Sequence, residues 1–474
     1  MRVIRQQKGD GATGFAARLA AEAEKGRRLS EPDLDRIRSI IQDVRERGDA
    51  AIYDYEERFG LLARGAPLRL SREDVRRAYG QTTGPQRAAL EEARRRLART
   101  EVATSKRVLK TVRVKTGAGN TAATTVTRRF VPVQSAGCYI PGGMARYPSS
   151  AIMCIVPAAA AGVTRIVAVS PVSSSSAASA SASASASAQP SAPPSSSPLH
   201  GCGIDPLTVV AADMCGATEI YRVGGAHAIA ALAYGTESIP RVDKIAGPGG
   251  PYVTAAKSLV STDAGIDMLA GPTELAIVAD SQASPRLVAL DLISQAEHSI
   301  DTQCCLVTTS ASLAEKVDAA LSEMTQRLPG RGEIVRESIS KNGFAAVVRS
   351  EAAAVAAANA LAPEHLEVMT RNPALTARSI TTPGTVLLGE QSPSSASDYL
   401  LGSNHILPTN RSGRTRGSLS VLDFVKVLTV VESSNGALRK ISGHMRELAE
   451  AEGLVNHYEA VLRGRLGGSG GNTE

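Results

Sequence analysis

Residues 274–309 read ELAIVADSQASPRLVALDLISQAEHSIDTQCCLVTT, and this stretch decides the fold class. The apolar, β-branched runs at 274–280 and 304–309 predict two buried strands. A helix is predicted between them, with Ser284 as its N-cap and Pro285 as its first residue. A strand, a helix and a second strand in this order predict a βαβ unit in a parallel sheet.

The same alternation continues along most of the chain. Further candidate strands lie at 164–170, 344–349 and 385–388, with Ala-rich helical stretches between most of them. This pattern predicts an α/β fold with largely parallel sheets. Nearer the N-terminus, apolar residues at helical spacing predict one long helix over 32–59, capped by Ser30, and a second over 84–104.

Composition excludes several classes of protein. The chain has 474 residues, of which 43% are apolar and 3% aromatic, and it contains no Trp. A disulfide scaffold, a fibrous protein and a wholly disordered chain do not have this composition. The low aromatic content also argues against a protein that binds single-stranded nucleic acid without sequence preference, because such a protein needs aromatic side chains on which bases stack. The net charge of +7 is a mild bias toward anionic ligands.

The cysteines and the N-terminus indicate a cytoplasmic protein. Six cysteines are present without a CxxC pair, which is typical of reduced, mostly buried thiols. No run of 18 apolar residues predicts a transmembrane helix, and MRVIRQQKGDGATGF lacks the apolar core of a secretory signal. We therefore expect no membrane partner.

Two segments are low in complexity. Residues 173–198 read SSSSAASASASASASAQPSAPPSSSP, a composition that cannot bury apolar surface and predicts a flexible surface insertion within one βα unit. The last residues, GGSGGNTE, predict a disordered tail.

Three glycine-rich loops follow candidate strands, at 141–143, 224–225 and 247–250. None matches GxGxxG or GxxxxGK[ST]. Such loops let a ligand approach the backbone closely, and ligands of open α/β sheets bind beyond the carboxyl ends of strands. Each loop alone is equally compatible with an ordinary tight turn.

Four potential metal ligands are spread along the chain. Gln295 and His298 are three residues apart and share one helical face. Asp398 lies in a Gly/Ser-rich stretch, and His457 lies near the C-terminus. Together they offer two nitrogen and two oxygen donors, which suits zinc or another divalent transition metal. Singly, each is explained as well by an ordinary structural role.

An acid and an imidazole are adjacent at Glu364 and His365, after Pro363, where we expect a loop to meet a helix. Histidine is the natural general base near neutral pH, and a neighbouring glutamate can activate water. His405 lies close to Asp398 in sequence. Glu452 and His457 would diverge by about 140° on an unbroken helix.

Nine blocks, in this order, resemble the histidinol dehydrogenase family over about residues 35–460. The blocks SQAEH and PEHL carry most of the resemblance. The full set is GDAAIYDYEERF (48–59), CYIPGGMARYPSS (138–150), VGGAHAIAALAYGTE (223–237), DKIAGPGGPYVTAAK (243–257), AGPTE (270–274), DLISQAEH (291–298), PEHL (363–366), SDYLLGSNHILPT (397–409) and EGLVNH (452–457).

The resemblance implies zinc-dependent, NAD-linked oxidation of L-histidinol through L-histidinal to L-histidine, the last steps of histidine biosynthesis. It implies Glu364 and His365 as the catalytic pair. The implied zinc ligands are Gln295, His298, Asp398 and His457, the last supplied by the partner subunit of a homodimer. These six residues would also contact substrate, together with Thr273, His405 and Glu452.

The cofactor side departs from the family pattern. The resemblance implies Tyr139, His227 and Gly250 as the positions that contact NAD, but the family often has Gln and Asn at the latter two. His227 still offers a hydrogen bond, whereas Gly250 has no side chain to offer. Ser394 and Ser397 stand where Glu and Gly are usual, and they flank Asp398.

The fold implied by the family is α/β, with two incomplete Rossmann-like domains, parallel-rich sheets and small N- and C-terminal helical elements. The predicted boundaries are a helical segment at 1–29, a first α/β domain at 30–138 and 273–419, a second at 139–272, and a helical segment at 420–474 that contributes to the partner's active site.

Two other functions remain open on the sequence alone. An Arg-rich helix at 84–113 could bind a polyanion such as nucleic acid, although a metal and acid–base set has no role in that reading. A relative acting on another amino alcohol or a sulfonate, with altered cofactor use, is favoured by the changes at His227 and Gly250.

Overall fold

The fold is taken from a computed structural model, which describes residues 1–474 except 8, 24–29, 59–61, 63, 118–122, 143–145, 173–202, 329 and 467–474. The predicted insertion at 173–198 and the predicted tail lie outside the described residues. The chain divides into two units, one of residues 1–102 and 133–424 and one of residues 103–132 and 425–474.

The elements are numbered along the chain. The strands are β1 (Arg2–Arg5), β2 (Val112–Thr116), β3 (Thr124–Pro132), β4 (Ser135–Tyr139), β5 (Arg165–Ser170), β6 (Glu219–Arg222), β7 (Lys244–Ala246), β8 (Gly265–Ile266), β9 (Glu274–Ala279), β10 (Gln303–Thr308), β11 (Phe344–Val347), β12 (His365–Met369), β13 (Thr385–Leu388) and β14 (Val425–Ser433). The helices are α1 (Ala12–Ala23), α2 (Glu31–Arg47), α3 (Asp49–Arg58), α4 (Arg72–Gly80), α5 (Gly84–Val108), α6 (Pro148–Ala161), α7 (Pro206–Cys215), α8 (Gly225–Tyr234), α9 (Pro251–Leu259), α10 (Pro285–Ala296), α11 (Ala311–Thr325), α12 (Gly332–Asn342), α13 (Glu351–Leu361), α14 (Pro373–Thr376), α15 (Ser394–Ser397), α16 (Asn435–Ala451) and α17 (Val455–Arg465).

Residues 274–309 contain β9, α10 and β10, and the two strands form the centre of a six-stranded sheet. Its order is β1-β11-β10-β9-β12-β13, and every neighbouring pair is parallel. Ser284 caps α10 by accepting a hydrogen bond from the Leu287 amide, as predicted. The α/β fold with parallel sheets is therefore confirmed. Strand β12 was not predicted: His365 begins a buried strand and not a helix, because both of its edges pair with neighbouring strands.

A second parallel sheet has five strands in the order β6-β5-β4-β7-β8. The chain starts at β4, in the middle, and proceeds first to β5 and β6 on one side. It then returns to β7 and β8 on the other side. In such sheets a crevice opens beyond the carboxyl ends of the two strands where the direction reverses, here β4 and β7.

The second unit combines a three-stranded antiparallel sheet, β14-β3-β2, with helices α16 and α17. The sequence predicted only helix after residue 420. The run VKVLTVVES instead forms β14, because its β-branched residues favour an extended backbone. Large apolar side chains of this strand are exposed, among them Val427, Val430 and Val431.

The arginines at 94–96 of α5 pair with glutamates of the same helix. Arg94 contacts Glu91, and Arg95 and Arg96 both contact Glu92. This pairing is typical of a solvated helix, and it leaves less positive charge free to bind a polyanion.

Five described cysteines are buried and free, as predicted. None of the described helices is long and apolar enough to cross a membrane.

The long helix predicted over 32–59 is two helices, because the chain turns at Gly48. Ser30 caps α2 as predicted. Gly48 has φ +55°, a region that favours glycine, and a Cβ there would overlap the Glu237 carboxylate. That carboxylate accepts a hydrogen bond from the Asp49 amide at 2.7 Å. The turn therefore depends on the missing side chain.

We predict that Gly48→Ala lowers the free energy of unfolding by about 1–3 kcal/mol, since the strained backbone and the displaced Glu237 both cost stability. Urea denaturation measures the change. Gly80→Ala, at the end of α4, is the matched control, because its φ is ordinary and its Cβ meets open space. Equal stability of the two variants would contradict the role of Gly48.

Candidate active site

The candidate site is a cavity of about 320 Å³ in the first unit. Its walls come from the amino ends of β9 and β12 in the six-stranded sheet and from the loop after β7 in the five-stranded sheet. It brings together eight residues that the sequence analysis singled out: Thr273, Gln295, His298, Glu364, His365, Asp398, His405 and Gly250.

His365 lies between two carboxylates. Its Nδ1 is 3.7 Å from Glu364 Oε2, and its Nε2 is 3.3 Å from Asp398 Oδ1. Among the described residues, neither ring nitrogen makes a hydrogen bond of acceptable geometry, and neither does Asp398 Oδ1. Buried polar atoms are rarely left in this state, so these atoms are suited to a ligand.

Burial and charge shift the pKa values of this group in a consistent way. Burial raises the pKa of Glu364 to about 7, against the influence of the His365 imidazole. Burial alone would lower the pKa of His365, but the Glu364 and Asp398 carboxylates outweigh it and raise it to about 9. Burial alone would raise the pKa of Asp398, but the imidazoles of His365, His405 and His298 together outweigh it and lower that pKa.

Two further histidines have their tautomers set by main-chain carbonyls. The Nδ1 of His405 donates to the Asp398 carbonyl over 2.7 Å, and the Nδ1 of His298 donates to the Gln295 carbonyl over 3.1 Å. A carbonyl only accepts, so each Nδ1 carries the proton and each neutral ring keeps Nε2 as an acceptor. Burial lowers the pKa of His405, which favours its neutral form.

The donor set partly fits a metal ion. His298 offers an imidazole nitrogen with a fixed tautomer, which is the usual arrangement of a metal-bound histidine. Gln295 is buried and lines the cavity, as does the unpartnered Oδ1 of Asp398. No three His, Cys, Asp or Glu side chains of the described chain converge closely enough to hold a metal by themselves. The first unit therefore offers a fitting but incomplete set of donors.

The expected fourth metal ligand, His457, and the expected substrate contact Glu452 lie in the second unit. His457 belongs to α17, and Glu452 directly follows α16 as its C-cap. Both side chains are exposed there.

The expected cofactor positions follow the carboxyl ends of the five-stranded sheet. Tyr139 ends β4, and its hydroxyl accepts a hydrogen bond from the Gly225 amide at 3.2 Å. His227 is buried in α8, with Nε2 2.8 Å from Oε1 of the buried Glu56. It also borders a second cavity of about 510 Å³. Gly250 lines the first cavity and caps α9 without a side-chain hydrogen bond.

Glu274, for which the sequence predicted no role, binds the start of the strand that carries His365. The Glu274 amide donates to Glu364 Oε2 at 2.9 Å, and the Glu364 amide donates to Glu274 Oε2 at 3.3 Å. Glu274 Oε1 also accepts from the Asn410 amide at 3.0 Å. In the sequence, the signal for this role was an acidic residue at the start of the apolar run ELAIVA.

A second buried acid was also missed. Glu367 Oε1 accepts a hydrogen bond from the Ser394 amide at 2.7 Å, one turn before Asp398. Burial raises the pKa of Glu367 to about 8 and that of Asp291, its neighbour on α10, to about 6. The pair connects β12, which begins at His365, with α10, which carries Gln295, and with α15, which ends just before Asp398. An acid inside the buried strand HLEVM was its signal in the sequence.

Comparisons with known proteins agree on one family. The sequence model of the histidinol dehydrogenase family matches residues 25–191 and 191–465. A histidinol dehydrogenase of Gluconobacter oxydans is 38% identical over 444 residues, 94% of each chain. One of Caldanaerobacter subterraneus is 40% identical over 427 residues, 90% of this chain and 91% of the relative. The crystal structure of histidinol dehydrogenase from Elizabethkingia anophelis superimposes with a TM-score of 0.83 at 28% identity, covering 97% of both chains.

We predict that Glu274→Gln lowers the free energy of unfolding by about 1–3 kcal/mol, because an amide offers one accepting oxygen where the carboxylate uses two. Thermal and urea denaturation measure the loss. Glu323→Gln is the control, since Glu323 is exposed on α11. Two variants of equal stability would show that the Glu274 contacts are dispensable.

Proposed function

Because this chain belongs to the histidinol dehydrogenase family, we propose that it oxidises L-histidinol through L-histidinal to L-histidine, with NAD as the hydride acceptor and zinc as the metal. One observation carries the proposal. His365, whose ring nitrogens lack hydrogen bonds among the described residues, lies between Glu364 and Asp398 in a cavity that the Gly250 loop also lines. An acid–base pair thus adjoins a loop of the kind that admits a dinucleotide.

The chain's own residues move the protons. His365 accepts the alcohol proton as the carbon loses hydride and passes that proton to solvent between the two steps. In the second step it accepts a hydroxyl proton of the hydrated aldehyde as the carbon loses its second hydride. Glu364 takes a proton from the water that attacks the aldehyde, a task suited to a buried carboxyl with a pKa of about 7. NAD supplies the hydride acceptor in both steps when bound. Beside the Asp398 anion, the pKa of His365 lies above neutral pH and the ring keeps its proton. A cation held by Asp398 would lower the pKa of His365 and leave the ring free to accept a proton.

Gln295, His298, Asp398 and the partner subunit's His457 would hold zinc. Bound zinc supplies a template that orients the imidazole and amino groups of the substrate. Thr273 and His405, which line the cavity, would add hydrogen bonds to the substrate. Glu452 would contact it as well.

The cofactor would lie beyond the carboxyl ends of β4 and β7, near Tyr139, His227 and Gly250. The location of the Gly247–Gly250 loop at the cavity wall supports this placement. Because His227 Nε2 is already hydrogen-bonded to Glu56, we expect the ring to line the NAD site more than to donate a hydrogen bond to NAD.

A homodimer would complete the site. The first unit offers three donors, and the expected fourth, His457, is exposed in the second unit. The exposed apolar side chains of β14 support burial against another chain. A cytoplasmic location stays a prediction, with the buried, free thiols in its favour.

A second candidate function is oxidation of another amino alcohol or a sulfonate with a different use of the cofactor. The pairing of His227 with Glu56 and the bare Gly250 favour it. Assays with alternative substrates and dinucleotides separate the two functions.

The test is NADH formation from L-histidinol and NAD, before and after chelation and return of zinc. We expect two NADH per histidinol, loss with the chelator and recovery with zinc. His365→Asn should lower kcat by about 10²–10⁴-fold, because the proton acceptor is lost while the shape is kept. No NADH from zinc-loaded parent protein would refute the proposal, and full activity of His365→Asn would refute the role of His365.

Subunit mixing tests the shared site. His298→Ala and His457→Ala should each be inactive alone. Co-expression of the two should restore about a quarter of parental activity, because half the dimers are mixed and each carries one intact site. A mixture that stays inactive although mixed dimers form would place His457 within its own subunit's site.

A further inference from the structure

A fully buried ion pair lies beside the loop after β7, and the mechanism above does not use it. Lys257 on α9 and Asp267, just after β8, are each 1% exposed and contact one another directly. Lys257 Nζ also donates to the Gly247 carbonyl at 2.8 Å, and Asp267 Oδ2 accepts from the Gly247 amide at 2.8 Å. Both polar groups of one glycine are thus bound by charged side chains.

Gly247 begins the loop that continues through Pro248, Gly249 and Gly250, all three of which line the cavity. Its φ is +118°, and a Cβ there would overlap the main chain of Tyr139 at the end of β4. The glycine is therefore pressed against the neighbouring strand. Its main-chain groups have no access to water and need partners within the protein.

A buried ion pair is a poor device for stability alone. Removing two charges from water costs about as much free energy as their attraction returns. Well-packed apolar residues in the same place often give equal stability. What charged side chains add is strength, since hydrogen bonds to ionised groups are shorter and about twice as strong as neutral ones. Here those bonds end on the first residue of the loop at the cavity wall.

We propose that Lys257 and Asp267 are positioning residues for the dinucleotide: through the Gly247 peptide groups they hold Gly247–Gly250 in the conformation that receives it. The inference rests on the proposed use of NAD. Residues 247–250 are Gly-Pro-Gly-Gly and have no polar side chain, so any hydrogen bond from this loop must come from its backbone. The position of that backbone then sets the affinity for the cofactor.

A double substitution, Lys257→Met with Asp267→Asn, tests this without leaving a buried charge. Asparagine keeps an acceptor for the Gly247 amide, whereas methionine removes the donor to its carbonyl. We expect the KM for NAD to rise about tenfold, the loss expected for one hydrogen bond to a charged group, and the KM for histidinol to change less than about twofold. Amide hydrogen exchange at residues 247–253 should become faster.

The matched control is a second ion pair in the same sheet, at its opposite edge. Arg165 Nε lies 2.9 Å from Glu219 Oε1, where β5 and β6 begin. Arg165→Met with Glu219→Gln should lower the Tm, yet leave both the KM for NAD and the exchange at 247–253 as in the parent. A purely structural role of Lys257 and Asp267 predicts that the two double variants behave alike.

The outcomes separate the two proposals. Unchanged loop exchange, or a KM for NAD that changes no more than in the control, overturns the positioning role. Failure of the parent to reduce NAD overturns the proposed function, and hydrogen exchange still decides whether the ion pair holds the loop. If the double variant does not fold, Lys257→Met alone is measured by the same two readouts against the same limits, because it removes the same donor to the Gly247 carbonyl and a buried Asp267 can take up a proton.

Discussion

The parallel pairing of β9 with β12 is the constraint on which the site depends. It places Leu275 beside His365, so the residues just before them, Glu274 and Glu364, also face one another. Each then binds the other's amide through its carboxylate. The contact fixes where β12 begins, and with it the position of the His365 imidazole. Glu364, for which we propose a chemical role, therefore also helps to hold the strand that carries His365.

The cavity joins opposite edges of two sheets. The six-stranded sheet contributes its amino edge, and α10 returns to that edge because it runs against the strands, which brings Gln295 and His298 there. The five-stranded sheet contributes its carboxyl edge, with glycine loops of the kind that admit a dinucleotide in such folds. The residues that we propose for acid–base chemistry and the loops that we propose for the cofactor therefore come from different sheets.

The sequence predicted what is local. The cap at Ser284, the strands on either side of α10 and the parallel α/β fold follow from patterns within a few residues. Strand β12 was missed because Pro363 followed by an acid is also how a helix begins, and only pairing with β9 and β13 distinguishes the two. The break at Gly48 depends on Glu237, and the partner of His227 is Glu56, 171 positions away. No local pattern contains such contacts. The fourth donor of the proposed metal site, His457 of the partner subunit, is likewise beyond any local pattern.

The two carbonyl-bound imidazoles are oriented before anything enters the cavity. His298 and His405 have their rings held by Gln295 and Asp398 main-chain oxygens, so neither ring has to turn or move its proton between nitrogens to offer Nε2. The rotational freedom of both rings is given up when the chain folds and would not be lost again at binding. For the zinc and substrate that we propose, this part of the entropy cost would therefore already lie in the folding of the chain.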